Sequence, residues 1–585
     1  MHSKVILDPD RLLFSQRSSI KSQKRPRKRR TIQKKSIADE MRKTTANERG
    51  ARKKTGEETG EEEYPKTTSD GLKKLQNGSD VRGVASAGVR DEPVTITAVA
   101  VFSLAAAFVD FLREKKKGAE ETTIEIGIGR DPRISGERLK DAFAKGVQFK
   151  KAKAIDCELS TTPACFFATL KDREIGPGYD GCVMLTASHL PFNRNGIKFF
   201  TANGGLDKSD VKYLCERAGE YIKEAEENIE NEEFGMCQTQ SYLDKYASIL
   251  RDKIIEGIND GTNEPLKGFK IVVDAGNGSG GFFATKVLEP LGADCSGSQF
   301  LEPDGMFPNH APNPEEKEAM ESATKAVLKA KADLGIVFDT DVDRSAVIDS
   351  FGKEINRNKL IAVLSHIALQ KEPGSTIVTD SVTSSGLKSF IENLGGKHLR
   401  YMRGYKNVIN KGMELNKEGI NAPLMIETSG HGAMKENYNL DDGAYLAVKI
   451  IIEAVKRKNA GGSGIGEILK NLKEPLESIE CRLKISNAEF KKVGSEVIEK
   501  FTAAIDQGYF EPGFVSAKEN FEGIRAESQG KGWFLLRSSL HDPVMVLNIE
   551  SDEKGGVSNY AKQIDKWFSE NRFEDVDYSS IATKI

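Results

Sequence analysis

The stretch "VMLTASHLPFNRNGIKFF", Val183 to Phe200, sets a hydroxyl beside an imidazole at the end of an apolar run. Val183, Met184 and Leu185 read as a buried strand. Thr186, Ala187, Ser188 and His189 follow, then the turn formers Pro191, Asn195 and Gly196, with Lys198 just beyond. A plain connecting loop does not need that set. Ser188 is either a nucleophile or an ordinary loop serine.

A second stretch, "FDTDVDR", Phe338 to Arg344, follows a run too apolar for the surface. Alternate residues of an extended chain point the same way, so Asp339, Asp341 and Asp343 would share one side. Three carboxylates there repel unless a cation sits among them, and hard oxygen ligands select Mg²⁺, Mn²⁺ or Ca²⁺. An EF-hand loop would carry Gly and Glu where Arg344 and Ser350 stand, so that reading fails. Arg344 beside the trio suits a site that holds a metal and an anionic phosphate together; a solvated acidic turn is the plain alternative.

Three weaker stretches follow. "RSSLHDP", Arg537 to Pro543, offers a guanidinium with the hydroxyls of Ser538 and Ser539, which would cradle a phosphate or simply turn a chain. "IETSGHG", Ile426 to Gly432, puts Glu427, Ser429 and His431 on one loop; these suit adjacent sugar hydroxyls, or a helix cap. "GNGSGG", Gly276 to Gly281, matches a dinucleotide fingerprint between strand and helix, or is only a tight turn.

The elements that must position these residues alternate in type. "TIEIGIG" (123–129), "GCVMLT" (181–186), "FKIVVDA" (269–275), "ADLGIVFD" (332–339) and "STIVTD" (375–380) read as strands. Helical patterns lie between them: "SGERLKDAFAKGVQF", a stretch from about Phe282, "NKLIAVLSHIALQK" and "GAYLAVKIIIEAVKR". This alternation predicts α/β layers with mixed, mostly parallel sheets. The last part, with "GWFLLRSS", "PVMVLNIES" and a closing helix, predicts a smaller α+β unit. Sites in open α/β sheets form beyond the carboxyl ends of strands. Ser188, Asp339 and Glu427 occupy such places, as does Asp80 in "NGSDVRG" if that segment is extended, so several domains could each give one loop to a shared cleft.

The chain has 585 residues and a net charge of −2. That length suggests about four domains, and the charge gives no strong pull toward nucleic acid or membrane. Residues 1 to 36 carry twelve Lys/Arg against Asp8 and Asp10 only, and acids dominate Glu57 to Glu63. This tail reads as a solvated extension, an organelle transit peptide or a nuclear-type basic patch. No secretory h-region is present in the first 20 residues. Seven scattered cysteines without a C-x-x-C pair suggest neither disulfides nor zinc and fit a reducing compartment. The longest apolar stretch, Val94 to Val109, falls short of a membrane span and predicts a core-facing helix.

With these residues in view, the sequence resembles the α-D-phosphohexomutase family, the phosphoglucomutase/phosphomannomutase group. The resemblance runs from about Asn77 to the C-terminus and rests on four loops in the family's order: "TASHLP" with "NGIK", "DTDVDR", "ETSGH" and "RSSLHDP". "SDVRG", "GRDPRISG", "TTPA", "DAGNGSGG" and "PDGMFPNHAPNP" support it. It implies four domains around a cleft, 77–267, 268–372, 373–475 and 476–585, after a tail at 1–76, and makes the glycine-rich turn structural. It implies a mutase interconverting hexose 1- and 6-phosphates, glucose or mannose, through a phosphoserine at Ser188 and a hexose 1,6-bisphosphate. Mg²⁺ would be held by that phosphoserine with Asp339, Asp341 and Asp343. Arg82, His189, Lys198, Arg344 and His431 would line the catalytic centre. Glu427, Ser429 and Lys406 would bind the sugar; Arg537, Ser538 and Ser539 would grip the phosphate not being transferred. The expected partners are small sugar phosphates, with neither membrane nor nucleic acid. Alternatives are a phosphoglucosamine mutase and a non-catalytic sugar-phosphate binder of the same fold.

Four positions depart from the family's pattern: Leu190, Thr340, Ile426, and the pair Leu540 and His541. The last pair removes a small residue and a hydroxyl donor from the phosphate loop. Plastid-type plant members look most similar in these details, which favours a plastid location over a cytoplasmic one.

Overall fold

The computed structural model describes residues 65–116, 123–172, 174–231, 233–234, 237–462, 464–539 and 542–585. The basic tail, the transit-peptide reading attached to it, and Leu540 and His541 lie outside the described residues.

Short apolar runs fold into four sheets. In the first, Glu125–Arg130 sits between Lys153–Leu159 and Gly181–Leu185, all parallel. Arg194–Thr201 then returns antiparallel to Gly181–Leu185 and also pairs with Asp80–Val84. Asp80 therefore begins a strand; the sequence reading put it just beyond one. The second sheet pairs Ile271–Asp274 parallel to Leu334–Phe338, with Ser345–Asp349 returning antiparallel. The third sets Thr376–Asp380 between Lys397–Tyr401 and Leu424–Ile426, all parallel, and Gly432–Met434 returns antiparallel. The fourth is antiparallel throughout, with Gly532–Ser538 between Ile524–Ser528 and Val544–Ser551.

One arrangement recurs. In each sheet a buried strand ends in a polar loop and the chain returns along the same strand as a hairpin. The loops 186–193, 339–344 and 427–431 are three of these connections, and the fourth joins the paired strands Gly532–Ser538 and Val544–Ser551. The mixed character of the first three sheets follows: crossover helices give parallel pairs, and each site loop adds an antiparallel partner.

The predicted core helix runs over Ala98–Lys115, starting later than the apolar run at Val94 because Thr97 caps it and accepts from Ala100 N at 3.1 Å. The helix expected from Phe282 is a π-type turn, Phe283–Leu288. Among the described residues no helix is long and apolar enough to cross a membrane. All seven cysteines are free thiols.

Residues of the first three domains share one continuous core, including Phe167, Tyr246, Phe338, Leu364 and Ile451. Helix Leu243–Ile258 packs against helix Gly443–Asn459 within it. The C-terminal unit closes its own core around Phe501, Phe534 and Trp567. It docks on the third domain through polar links: Arg525 Nη1 donates to Ser381 O and Thr383 O at 3.0 and 3.1 Å, and Glu522 Oε1 accepts from Arg403 N at 2.8 Å. The first three loops thus rest on a shared apolar core, and the fourth is carried on a unit joined by these polar links and by the Tyr401–Phe521 ring contact at 4.9 Å.

Candidate active site

Ser188 lies three residues beyond the strand Gly181–Leu185, in the left-handed region at φ +50°. An L-residue pays roughly 1–2 kcal/mol for that backbone. The conformation turns Oγ across the domain boundary, where it donates to Asp339 Oδ2 at 3.0 Å and accepts from Arg344 Nη2 at 3.1 Å. The residues in contact are more than 150 positions apart in the chain. Ser188 is 2 % exposed.

The metal-loop hairpin brings Asp339, Asp341 and Asp343 together, fully buried, with one carboxylate oxygen of each within 4.8 Å of the others. The first and third domains, and the glycine-rich turn of the loop's own domain, hold this loop by its backbone. Thr162 N donates to Asp341 O at 2.9 Å, Ser279 N to Thr340 O at 2.8 Å, and Gly443 N to Val342 O at 3.2 Å. The glycine-rich turn therefore has a packing reason: a Cβ at Gly278 would stand 2.8 Å from both Cα and O of Thr340. Thr340, which departs from the family's pattern, meets the turn with its backbone.

The acidic trio fits a divalent cation. Burial first, then Asp343 and Asp341, push Asp339 well above the carboxylate range against the pull of Arg344. Asp341 Oδ1 and Asp343 Oδ1 are buried with no hydrogen-bond partner, two hard donors aimed into one space. The neighbouring group Asp343, His431 and Asp441 is also compact, but a 2.6 Å hydrogen bond from His431 Nδ1 to Asp441 Oδ2 makes it an ion pair.

Lys198 Nζ, buried on the returning strand, donates to Asp341 Oδ2 at 2.9 Å and to Asp343 Oδ2. Burial disfavours its charge, but the two carboxylates outweigh that and hold it well above the ordinary lysine value. The same contacts, with His431 and Arg344, outweigh burial at Asp343 and hold it below the carboxylate range. Arg344 spreads its fork over four partners: Ser188 Oγ, Asp339 Oδ2 at 3.1 Å, Asn313 Oδ1 at 3.2 Å and His189 Nδ1 at 2.9 Å. His189 lies open to the cleft, where partial desolvation, then Arg344 and Arg82, lower its pKa. It thus stands as a neutral acceptor that orients Arg344.

His431 reaches the centre through an isolated antiparallel bridge between its backbone and Arg344. Burial opposes its charge, but Asp441 and Asp343 outweigh it and push the imidazole up to about 9. Its ring stacks on Tyr405 at 5.0 Å, and the Tyr405 hydroxyl donates to Asp80 Oδ1 at 3.3 Å. Asp80 Oδ2 accepts from Arg82 Nη2 at 2.9 Å. Arg82 is therefore brought to the centre's edge.

Glu427 accepts from Gly404 N at 2.6 Å and from Ser429 Oγ at 3.1 Å. Burial and Asp380 push it up to about 7, against Arg403 and His431. Ile426 is the last residue of its buried strand, so it shapes the core beneath the loop. Lys406 points toward the first domain, donating to Gly205 O at 2.7 Å, in a recess it shares with Lys198, Tyr405 and Asp441. Arg537 is buried with its Nε unpartnered; burial lowers its pKa and Glu522 raises it. Ser539 Oγ accepts from Asp542 N at 3.3 Å. Ser538 lies on the opposite face of the strand from Arg537, against Gly494, where a Cβ would stand 2.4 Å from Ser538 Oγ.

Sequence reasoning missed several residues that shape this site. Arg133, Thr162 and Asn313 lay in stretches noted for their resemblance but without a role. Asp441, Tyr405 and Arg403 gave no signal, because only the tertiary fold brings them near.

Fold and site together define a multidomain α/β protein with three hairpin loops meeting at one centre and a sheet-rich C-terminal unit beside the third domain, the phosphohexomutase class. Family models described as phosphoglucomutase/phosphomannomutase, alpha/beta/alpha domains I, II and III, match residues 73–233, 240–352 and 356–474. A phosphomannomutase/phosphoglucomutase of Pseudomonas syringae is 30 % identical over 429 residues, covering 73 % of this chain and 83 % of that one. A phosphoglucomutase of Neisseria gonorrhoeae is 28 % identical over 447 residues, 75 % of this chain and 88 % of that one. A solved phosphoglucomutase/phosphomannomutase family protein of Burkholderia thailandensis shares the fold with a TM-score of 0.63 at 24 % identity, over 86 % of this chain and 98 % of that one. The chain belongs to the phosphoglucomutase/phosphomannomutase family.

Proposed function

We propose that the protein is a hexose-phosphate mutase, an intramolecular phosphotransferase that moves a phosphoryl group between O1 and O6 of glucose or mannose through Ser188. The observation that carries this reading is the Ser188 hydroxyl set between Asp339 and Arg344 at 3.0 and 3.1 Å.

In the resting enzyme Ser188 carries the phosphoryl group, which adds about −1.5 to −2 charge. Asp339, Asp341 and Asp343 with that phosphoserine would hold Mg²⁺, which when bound neutralises phosphoryl oxygens. A sugar hydroxyl attacks phosphorus, its O–P bond forms, and the bond to Ser188 Oγ breaks. Arg344 donates to that oxygen and steadies the charge it gains. Lys198 or His431, both held charged beside the trio, gives its proton to the departing Ser188 oxygen and takes up the proton of the attacking hydroxyl in its place, and the exchange runs in reverse in the second half. The bisphosphate turns over in the cleft and gives its other phosphate back to Ser188. Glu427 and Ser429 read sugar hydroxyls, while Arg537 and Ser539 hold the phosphate at rest. Positioning and charge neutralisation supply most of the rate in such transfers.

The test is a panel of glucose, mannose and glucosamine 1-phosphates with Mg²⁺, wild type beside Ser188→Ala, read by coupled assay and intact mass. The expected result is turnover and a phosphorylated Ser188 in the wild type, with both lost in the variant. No conversion of any hexose or hexosamine phosphate by the wild type would end the reading.

A further inference from the structure

Arg133 follows the strand Glu125–Arg130, outside the residues that face the cleft. Its side chain is 0 % exposed. A guanidinium has five donor hydrogens, and here all five are used. Nε donates to Asp131 Oδ2 at 3.0 Å. Nη1 donates to Pro191 O and Arg194 O at 2.5 and 3.1 Å, and Nη2 to Ser188 O and Leu190 O at 2.5 and 2.7 Å. Four of the five bonds end on backbone carbonyls, three in the loop that carries Ser188 and the fourth on Arg194, the first residue of the strand that follows it.

Asp131 closes a ring. Its Oδ2 also accepts from Thr186 Oγ1 at 2.7 Å, and Thr186 Oγ1 accepts from Ser188 N at 2.9 Å. The circuit runs from Ser188 N through Thr186, Asp131 and Arg133 back to Ser188 O. Both peptide groups of Ser188 are therefore tethered to one rigid, buried pair. The second domain covers the pair: the Phe307 ring lies 5.1 Å from the Arg133 guanidinium, and a Cβ at Gly305 would stand 2.8 Å from Arg133 Cα.

We propose that Arg133, Asp131 and Thr186 are positioning residues for the reaction, locking Ser188 in its left-handed conformation so that Oγ faces Asp339 and Arg344. The inference rests on the mutase reading of the site. A non-glycine residue at φ +50° persists only where its surroundings over-determine it. Fixing the N–H and the C=O on either side of Ser188 Cα does that, because neither backbone dihedral can relax without breaking a bond of the circuit. Released to ordinary negative φ, Ser188 would swing its hydroxyl out of line with the acceptor.

The experiment compares Thr186→Val, which keeps shape and removes the hydroxyl, with Thr186→Ser, which restores it. Two quantities are read: phosphoryl transfer from phospho-Ser188 to glucose 1-phosphate in a single turnover, and hydrogen exchange of the Ser188 amide. Thr186→Val should slow transfer about 100-fold with KM nearly unchanged, the effect of an ångström-scale misplacement, and should expose the amide to exchange. Thr186→Ser should recover both. Arg133→Lys, which keeps the charge but has only three donors, should show the same split and serves if Thr186→Val fails to fold. Wild-type transfer by Thr186→Val or Arg133→Lys, or a loss confined to KM, would overturn the proposal. If the wild type itself does not turn over, the mutase reading falls, while unchanged amide exchange in Thr186→Val would still refute the circuit.

Discussion

Replacing Arg344 by Lys keeps a positive charge and removes the fork, so it separates charge from geometry at Ser188. Arg344 serves Asp339 at 3.1 Å, Asn313 at 3.2 Å, Ser188 Oγ at 3.1 Å and His189 at 2.9 Å from one planar group. A lysine ammonium on a shorter reach can keep the Asp339 pairing, which is the strongest of these in a buried setting, but cannot also span to Ser188. A hydrogen bond to a charged group is worth about 1.5–3 kcal/mol. The Ser188 contact strengthens as charge gathers on Oγ, so its loss falls mainly on the transition state. At about 1.36 kcal/mol per tenfold, kcat should drop by roughly 10- to 150-fold with a small change in KM. Arg344→Ala should do more, since it leaves Asp339 buried without its guanidinium; removing one partner of a buried pair costs about 3–5 kcal/mol of stability. The assay is steady-state conversion of glucose 1-phosphate with kcat and KM resolved, beside a thermal melt of each variant. A folded Arg344→Lys enzyme with kcat within about twofold of wild type would refute the reasoning, because an effect that small is below a single charged hydrogen bond.

Chelation should abolish turnover, and Mg²⁺ should restore it and raise the melting temperature; Asp341→Asn, which removes a buried hard donor, should blunt that shift, and an equal shift in the variant would count against the trio as the metal site. Gly278→Ala forces a methyl to within 2.8 Å of Thr340 backbone atoms; overpacking of this kind costs about 1–3 kcal/mol, and the displaced loop should weaken Mg²⁺ binding in calorimetry, whereas unchanged binding would show that the turn does not support the loop. Glu550, buried beside Trp533 Nε1 at 2.7 Å, is pushed up to about 7 by burial, against Trp533, Arg525 and Arg400. A carboxyl with a raised folded pKa binds its proton more tightly than the unfolded chain does, so its contribution is full below an unfolded value of 4.5 and is lost as pH rises through about 7. Glu550→Gln should remove up to about 3 kcal/mol of that loss, read as a flatter stability profile in urea melts between those pH values; parallel profiles would exclude Glu550 as its source.

The sequence by itself determined the chemistry on offer. Apolar runs ending in "TASH", "DTDVDR" and "IETSGH" specify buried strands whose polar loops fall at strand ends, because chain periodicity and burial are local properties. The spacing of Asp339, Asp341 and Asp343 likewise fixed their common direction, and the structure holds them together. What only the tertiary structure decided is everything that depends on residues distant in the chain. The meeting of Ser188 with Asp339, the stacking of Tyr405 on His431, and the Arg133 circuit all cross between segments whose sequences carry no mark of one another. The turning of Ser538 onto Gly494 belongs here too, since strand alternation says that two neighbours face opposite ways but only the packed helix says which way is in. Local patterns encode what each loop can do; long-range packing decides which loops share a space, because that choice is made by the whole core at once.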